Sequence, residues 1–220
     1  MDYCATLTTC GTIGQLRCLP EIMERDRTHP ASYAVMETNT IGEHLYWSYA
    51  NLAMAHAAVS DCSERYNQKH FIIRSRLYRG LTKGTMKIGD IADDEKLKMI
   101  LPQSCAYCGS KNYLSADHLL SKKRGGNNCG DNLVWSCRSC NSSKGAADML
   151  EWLAKRQIFP PLLLLRRYLK LSIAISVQNQ IMDRLVSDTP EVPFQLSAVP
   201  TSFPEPSQLR LWVTALPETT

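Results

Sequence analysis

The chain has 220 residues, enough to bury a sizeable core in one or two domains. Its 44% hydrophobic and 21% charged content excludes wholesale disorder. A net charge of +4 and a pI of about 8.5 permit a polyanionic partner without requiring one, because any such footprint depends on where the charges lie.

Residues 1 to 39 show no sustained periodicity, and Cys4, Cys10 and Cys18 match no metal-knuckle spacing, so they read as buried or incidental thiols. The first twenty residues have no basic stretch ahead of an apolar run, which is not the pattern of a secretory signal and sets a cytoplasmic location as the expectation. In such a reducing compartment nine cysteines are better explained by metal binding or burial than by disulfides.

Thr40 and Glu43 have capping-box spacing, and "EHLYWSYANLAMAHAAV" follows without Gly or Pro, the text of a buried helix. Residues 65 to 87 carry Arg65, Lys69, Arg74, Arg76, Arg79, Lys83 and Lys87 with no acid, interleaved with Tyr66, Phe71 and Tyr78. That segment suits a nucleic-acid backbone with stacked bases, or equally the solvated face of an amphipathic helix. "DIADDEKLKMIL" has acids first and lysines later, as a helix dipole favours, and Pro102 follows it.

A further helical run is expected from Asn141, with Ala146, Met149, Leu150 and Leu153 on one face and a stop before Pro160 and Pro161. A third is expected over about 162 to 186. Arg166, Arg167 and Lys170 interrupt its apolar text, which is too short to span a bilayer, so no membrane partner is expected. Beyond Ser187, Pro190, Pro193, Pro200, Pro204 and Pro206 argue for an extended tail, with "LRLWV" a candidate docked strand. Cys62, Cys129, His29, His44, His56 and His70 stand without a partner motif and are not assigned a role.

The chemistry concentrates between Cys105 and Gly145, "CAYCGSKNYLSADHLLSKKRGGNNCGDNLVWSCRSCNSSKG". Cys105 with Cys108, and Cys137 with Cys140, form two CxxC knuckles able to close on one tetrahedral Zn²⁺. Four thiolates leave no open position, so that ion is structural. "YLSADHLL" and "NLVWSC" read as two strands of a hairpin, whose alternation puts Asp117 and His118 on opposite faces. Asn141 follows the last knuckle cysteine, where a zinc staple alone has no use for it.

These residues resemble the HNH endonuclease family in its HNN variant. The resemblance rests on Asp117-His118, Asn132, Asn141, the double knuckle, the Gly125-Gly126 pair and Lys144-Gly145. It implies a ββα-metal core and hydrolysis of phosphodiester bonds, in DNA more than RNA, leaving 5′-phosphate and 3′-hydroxyl ends. His118 becomes the candidate general base, since an imidazole titrates near neutrality. Asp117 and Asn141 become the ligands of a catalytic Mg²⁺ or Mn²⁺, both being hard oxygen donors. Asn132 becomes the residue that fastens the loop and helps orient the histidine. Lys122, Lys123, Arg124, Arg138 and Lys144, with Arg74, Arg76 and Arg79 upstream, are candidates for nucleic-acid contact.

The expected fold is therefore α+β and mainly helical. It has an N-terminal region over 1–100, a nuclease core over 101–158, and a helical extension with a Pro-rich tail over 159–220. Two other readings stand beside the nuclease. One is a non-catalytic zinc module binding nucleic acid or protein, which would not need Asp117, His118 and Asn141 together. The other is an effector subunit, in a defence or mobile-element system, whose activity waits on a protein partner.

Overall fold

In the computed structural model, residues 38–89, 101–188 and 190–214 are described. The irregular segment before 38, with its three cysteines, and the helix expected over about 90–100 lie outside the described residues.

Helix α1 runs Ile41–Ser60, opened by the Thr40–Glu43 capping box: the Glu43 amide donates to Thr40 Oγ1, and Glu43 Oε2 accepts from the Thr40 amide. Helix α2 covers Gln68–Thr82 behind an Asn67 cap. It packs on α1 through Trp47 and Tyr78, whose rings meet edge to face at 5.2 Å. No helix among the described residues is long and apolar enough to cross a membrane.

Strands β1 (Leu114–His118) and β2 (Leu133–Cys137) pair antiparallel, with Leu114 opposite Cys137 and His118 opposite Leu133. Helix α3 (Arg138–Lys144) leaves β2 directly, giving the ββα order. The continuous run expected from Asn141 is instead two helices, because Gly145 breaks the ladder with φ of 51° and ψ of −126°. Asp148 then caps α4 (Met149–Ala154) by accepting from the Leu150 and Glu151 amides.

Helix α5 spans Leu162–Gln178, shorter than the 162–186 expected. The chain turns after Asn179 and runs back to form a bridge between Thr40 and Leu185. The proline-rich segment that follows is a strap tied down by its backbone. Thr201 carbonyl accepts from Trp47 and Asn51, Pro204 carbonyl from the Tyr66 hydroxyl, and the Gln195 amide donates to buried Asp148. "LRLWV" forms no strand. Its Arg210 and Leu211 carbonyls accept instead from the Leu162 and Leu163 amides, satisfying the first turn of α5, which has no side-chain cap.

One hydrophobic core joins these parts: Leu45 and Leu52 of α1, Leu119 and Val134 of the hairpin region, Leu153 of α4, and Leu165, Tyr168 and Leu169 of α5. The hairpin is thus set on a helical base, and the architecture is mixed α+β and mainly helical.

Candidate active site and metal centre

The two CxxC segments meet at the end of the hairpin, and the four sulfurs of Cys105, Cys108, Cys137 and Cys140 all lie within 4.8 Å of one another. Cys108 and Cys137 Sγ are 3.7 Å apart, close to the edge of about 3.8 Å expected for thiolates around tetrahedral zinc. Backbone bonds shape the first knuckle: the Gly109 amide donates to Cys105 carbonyl, and Ala106 amide ties the turn to Trp135 carbonyl of β2. Gly109 has φ of +78°, and a Cβ there would stand 2.9 Å from the Thr214 methyl where the strap arrives. Burial opposes charge on Cys105, yet amide donors from Cys137, Cys108 and Tyr107 bring its thiol down to about 7. Burial pushes Cys108 and Cys140 up. Four such sulfurs can all be thiolates only around a cation, and the donor set fits Zn²⁺.

Beyond the knuckles, the β1 face carrying Ser115 and Asp117 meets the α3 face carrying Asn141 and Lys144. Asp117 is 5% exposed. Its Oδ2 accepts from the Tyr107 hydroxyl at 2.7 Å, and Oδ1 lies 3.1 Å from the Lys144 ammonium. Burial, with the Asp117 charge beside it, holds the Tyr107 phenol well above its ordinary range, so it donates as a neutral hydroxyl. Asn141 Nδ2 donates to Ser115 Oγ at 3.2 Å, which leaves its carbonyl oxygen for another partner. A carboxylate and an amide oxygen on adjoining faces can hold a hard divalent ion.

His118 is half-buried at the end of β1, and its Nε2 lies 2.8 Å from Asn128 Oδ1. The pair is a hydrogen bond from the ring to the amide oxygen when Nε2 carries a proton. Asn132 is 1% exposed and binds the loop on three sides. Its Oδ1 accepts from the Leu120 amide at 2.7 Å, and Nδ2 donates to the Leu120 and Asn127 carbonyls, both at 2.8 Å. The Gly125-Gly126 turn completes the loop: Gly125 has φ of +93°, and a Cβ on Gly126 would fall 2.1 Å from Leu120 carbonyl oxygen.

The cations divide into two groups. Lys122, Lys123, Arg138, Arg76 and Arg79 are exposed. Arg124 bonds Gln195 Oε1 at 3.1 Å and approaches Glu151, and Lys144 is held by Asp117. Arg74 lies over the Trp47 ring at 4.7 Å and the Phe71 ring at 5.1 Å and donates to Asn51, so it joins α1 to α2.

Residues 105–147 match the family model for the HNH endonuclease. This segment is an HNH endonuclease domain. No curated protein and no solved structure matches the chain. The HNH segment accounts for the knuckles, hairpin and α3, while α1, α2, α5 and the strap lie outside it. Sequence reasoning misses Tyr107, Asn128 and Arg167. Tyr107 hides inside the first CxxC, and Asn128 sits in a loop whose text shows only polarity. Arg167 interrupts an apolar run, where its charge speaks against membrane insertion and nothing more.

Proposed function

We propose that this protein is a metal-dependent endonuclease acting on DNA in preference to RNA, with the HNH segment as its catalytic unit. The observation that carries the reading is the His118–Asn128 bond. It holds the imidazole by Nε2, so that Nδ1 is the ring nitrogen left for proton transfer. His118 then takes a proton from the attacking water at Nδ1. Asp117 and the Asn141 carbonyl would hold Mg²⁺ or Mn²⁺, which requires the Lys144 ammonium to leave Asp117 Oδ1. A bound divalent ion supplies charge neutralisation at the scissile phosphate and at the departing 3′ oxygen. Asn132 keeps the loop closed behind the histidine, and the four cysteines would hold a Zn²⁺ that ties the knuckles to the hairpin.

Exposed Lys122, Lys123 and Arg138 near the hairpin, and Arg76 and Arg79 on α2, contact the phosphate backbone. The products carry 5′-phosphate and 3′-hydroxyl ends, and the protein works in the cytoplasm, alone or with a protein partner in a defence or mobile-element system. Incubation of the purified protein with plasmid, single-stranded DNA and RNA under Mg²⁺, Mn²⁺ and chelator tests the reading. Cleavage that needs the metal and vanishes in a folded His118→Ala protein supports it.

A second reading draws on the Lys144–Asp117 pair. A carboxylate already neutralised by a buried ammonium suits a zinc-stapled nucleic-acid-binding module without turnover. Metal-independent binding of DNA with no cleavage by the wild-type protein would favour it.

A further inference from the structure

Arg167 lies in the second turn of α5, outside the HNH segment, and is 5% exposed. A guanidinium so far from water requires acceptors. It finds them in one short stretch: Nε donates to the Asp131 carbonyl, Nη2 donates to the Gly130 carbonyl at 3.0 Å, and Asp131 Oδ1 lies 3.8 Å from Nη2. These carbonyls belong to the single 3₁₀ turn Gly130–Asn132.

That turn is where the site is hung. Asn132 closes it and binds Leu120 and Asn127, while Asn128, four residues earlier in the same loop, receives the His118 ring. Residues 127–130 are exposed, and three glycines lie between 125 and 130, so the loop has little packing of its own. Packing from below is also incomplete. An apolar cavity of about 360 Å³, bordered by Leu133, Val134, Leu163, Leu164 and Arg167, lies between part of the hairpin and α5. The Arg167 hydrogen bonds tie the turn to α5 beside that gap, in addition to the bonds that Asn132 makes within the loop.

We propose that Arg167 is a positioning residue, a clamp from the C-terminal helix that fixes the 127–132 loop where Asn128 meets the His118 ring. Its bearing on turnover rests on the reading of His118 as general base. Its bearing on the histidine does not. The clamp also gives α5 a role in the site that the HNH segment cannot supply for itself.

The test compares the zinc-loaded full chain with Arg167→Met and Arg167→Lys. Amide hydrogen exchange over residues 127–132 reads the loop, zinc content and melting temperature read the fold, and plasmid cleavage is resolved into kcat and KM. Arg167→Met exchanges these loop amides at least about 10-fold faster than the wild type and loses about 100-fold in kcat at unchanged KM, the scale of a misplacement of about 1 Å. Arg167→Lys, which keeps a donor and the charge, recovers part of both signals. Gly130 has open space around its Cβ position and no left-handed φ, so adding Gly130→Ala to Arg167→Met stiffens the loop and restores part of the amide protection.

Unchanged amide exchange over 127–132 in Arg167→Met overturns the proposal, whatever the activity. Should Arg167→Met fail to fold, Arg167→Lys carries the decision by the same readout. A wild-type protein that cleaves nothing, with the loop amides still exchanging faster in the variant, removes the nuclease reading and leaves the clamp standing.

Discussion

The Lys144 ammonium lies 3.1 Å from the Asp117 carboxylate with both side chains withdrawn from water, at 1% and 6% exposure. Tyr107 shares the acid from the other side. The acid of the HNH motif is thus held at a junction between the first knuckle, β1 and α3.

Removing one partner of a buried ion pair strands the other. Lys144→Met and Asp117→Asn should each cost about 3–5 kcal/mol in denaturant unfolding. The double variant should recover most of that loss. Mn²⁺ should stabilise Lys144→Met more than it stabilises the wild type, because only the variant has an unpaired acid. Equal metal shifts in the two proteins would place metal binding away from Asp117.

The purified protein should contain one zinc per chain, and Cys140→Ser should lose it. The zinc-linked folding free energy of such sites is on the order of 10 kcal/mol. The expected result is loss of hairpin protection in amide hydrogen exchange, while α1 and α2 stay protected. Retention of zinc by the variant in elemental analysis would contradict the four-sulfur site.

Asn132 makes three hydrogen bonds at 2.7–2.8 Å with almost no exposure. Asn132→Ala should cost about 2–4 kcal/mol, since it leaves the Leu120 amide and two carbonyls without partners. Gly126→Ala should cost at least as much, because its Cβ meets backbone, which cannot move aside as a side chain can.

Burial lowers the His44 imidazole below its ordinary 6.5, against the opposing pull of the Val199 and Leu196 carbonyls. The unfolded chain therefore takes up this proton at higher pH than the folded one. The stability linked to neutral His44 is present above about pH 6.5 and is lost as pH falls through the lower folded value. His44→Gln should flatten that part of the melting-temperature profile between about pH 7 and 5. A variant profile parallel to the wild type would exclude this contribution.

Charge reversal at Lys122, Lys123 and Arg138 should weaken DNA binding and reduce the salt slope by about 0.9 for each phosphate that is no longer neutralised. Arg74→Met should leave the slope unchanged and lower the melting temperature, because its guanidinium lies on Trp47 and Phe71. A slope change in Arg74→Met would return that residue to the DNA-binding group.

The signals readable in the sequence are those with fixed local spacing. The CxxC pairs, the Thr40–Glu43 capping box and the alternation that separates Asp117 from His118 all depend on neighbours a few residues apart, and the structure has each of them. What escapes depends on distant partners. The strap reads as a loose tail because prolines exclude regular elements, yet its carbonyls cap α5 and bind Trp47, Asn51 and Tyr66 across more than a hundred residues of chain in the last three cases. Arg74 and Lys144 read as candidates for nucleic-acid contact because charge alone does not reveal a stacked or buried partner within the protein. The Arg167 bond to Gly130 spans 37 residues, and no periodicity encodes it.

The most direct measurement is cleavage of supercoiled plasmid by the purified zinc-loaded protein, in Mg²⁺, in Mn²⁺ and in chelator, beside His118→Ala verified as folded by its zinc content and melting temperature. Metal-dependent hydrolysis with His118 as base predicts nicked or linear DNA with 5′-phosphate ends in either metal, none in chelator, and a rate at least about 100-fold lower in the variant. Equal cleavage by His118→Ala, or intact plasmid with the wild-type protein bound to it in both metals, would contradict it.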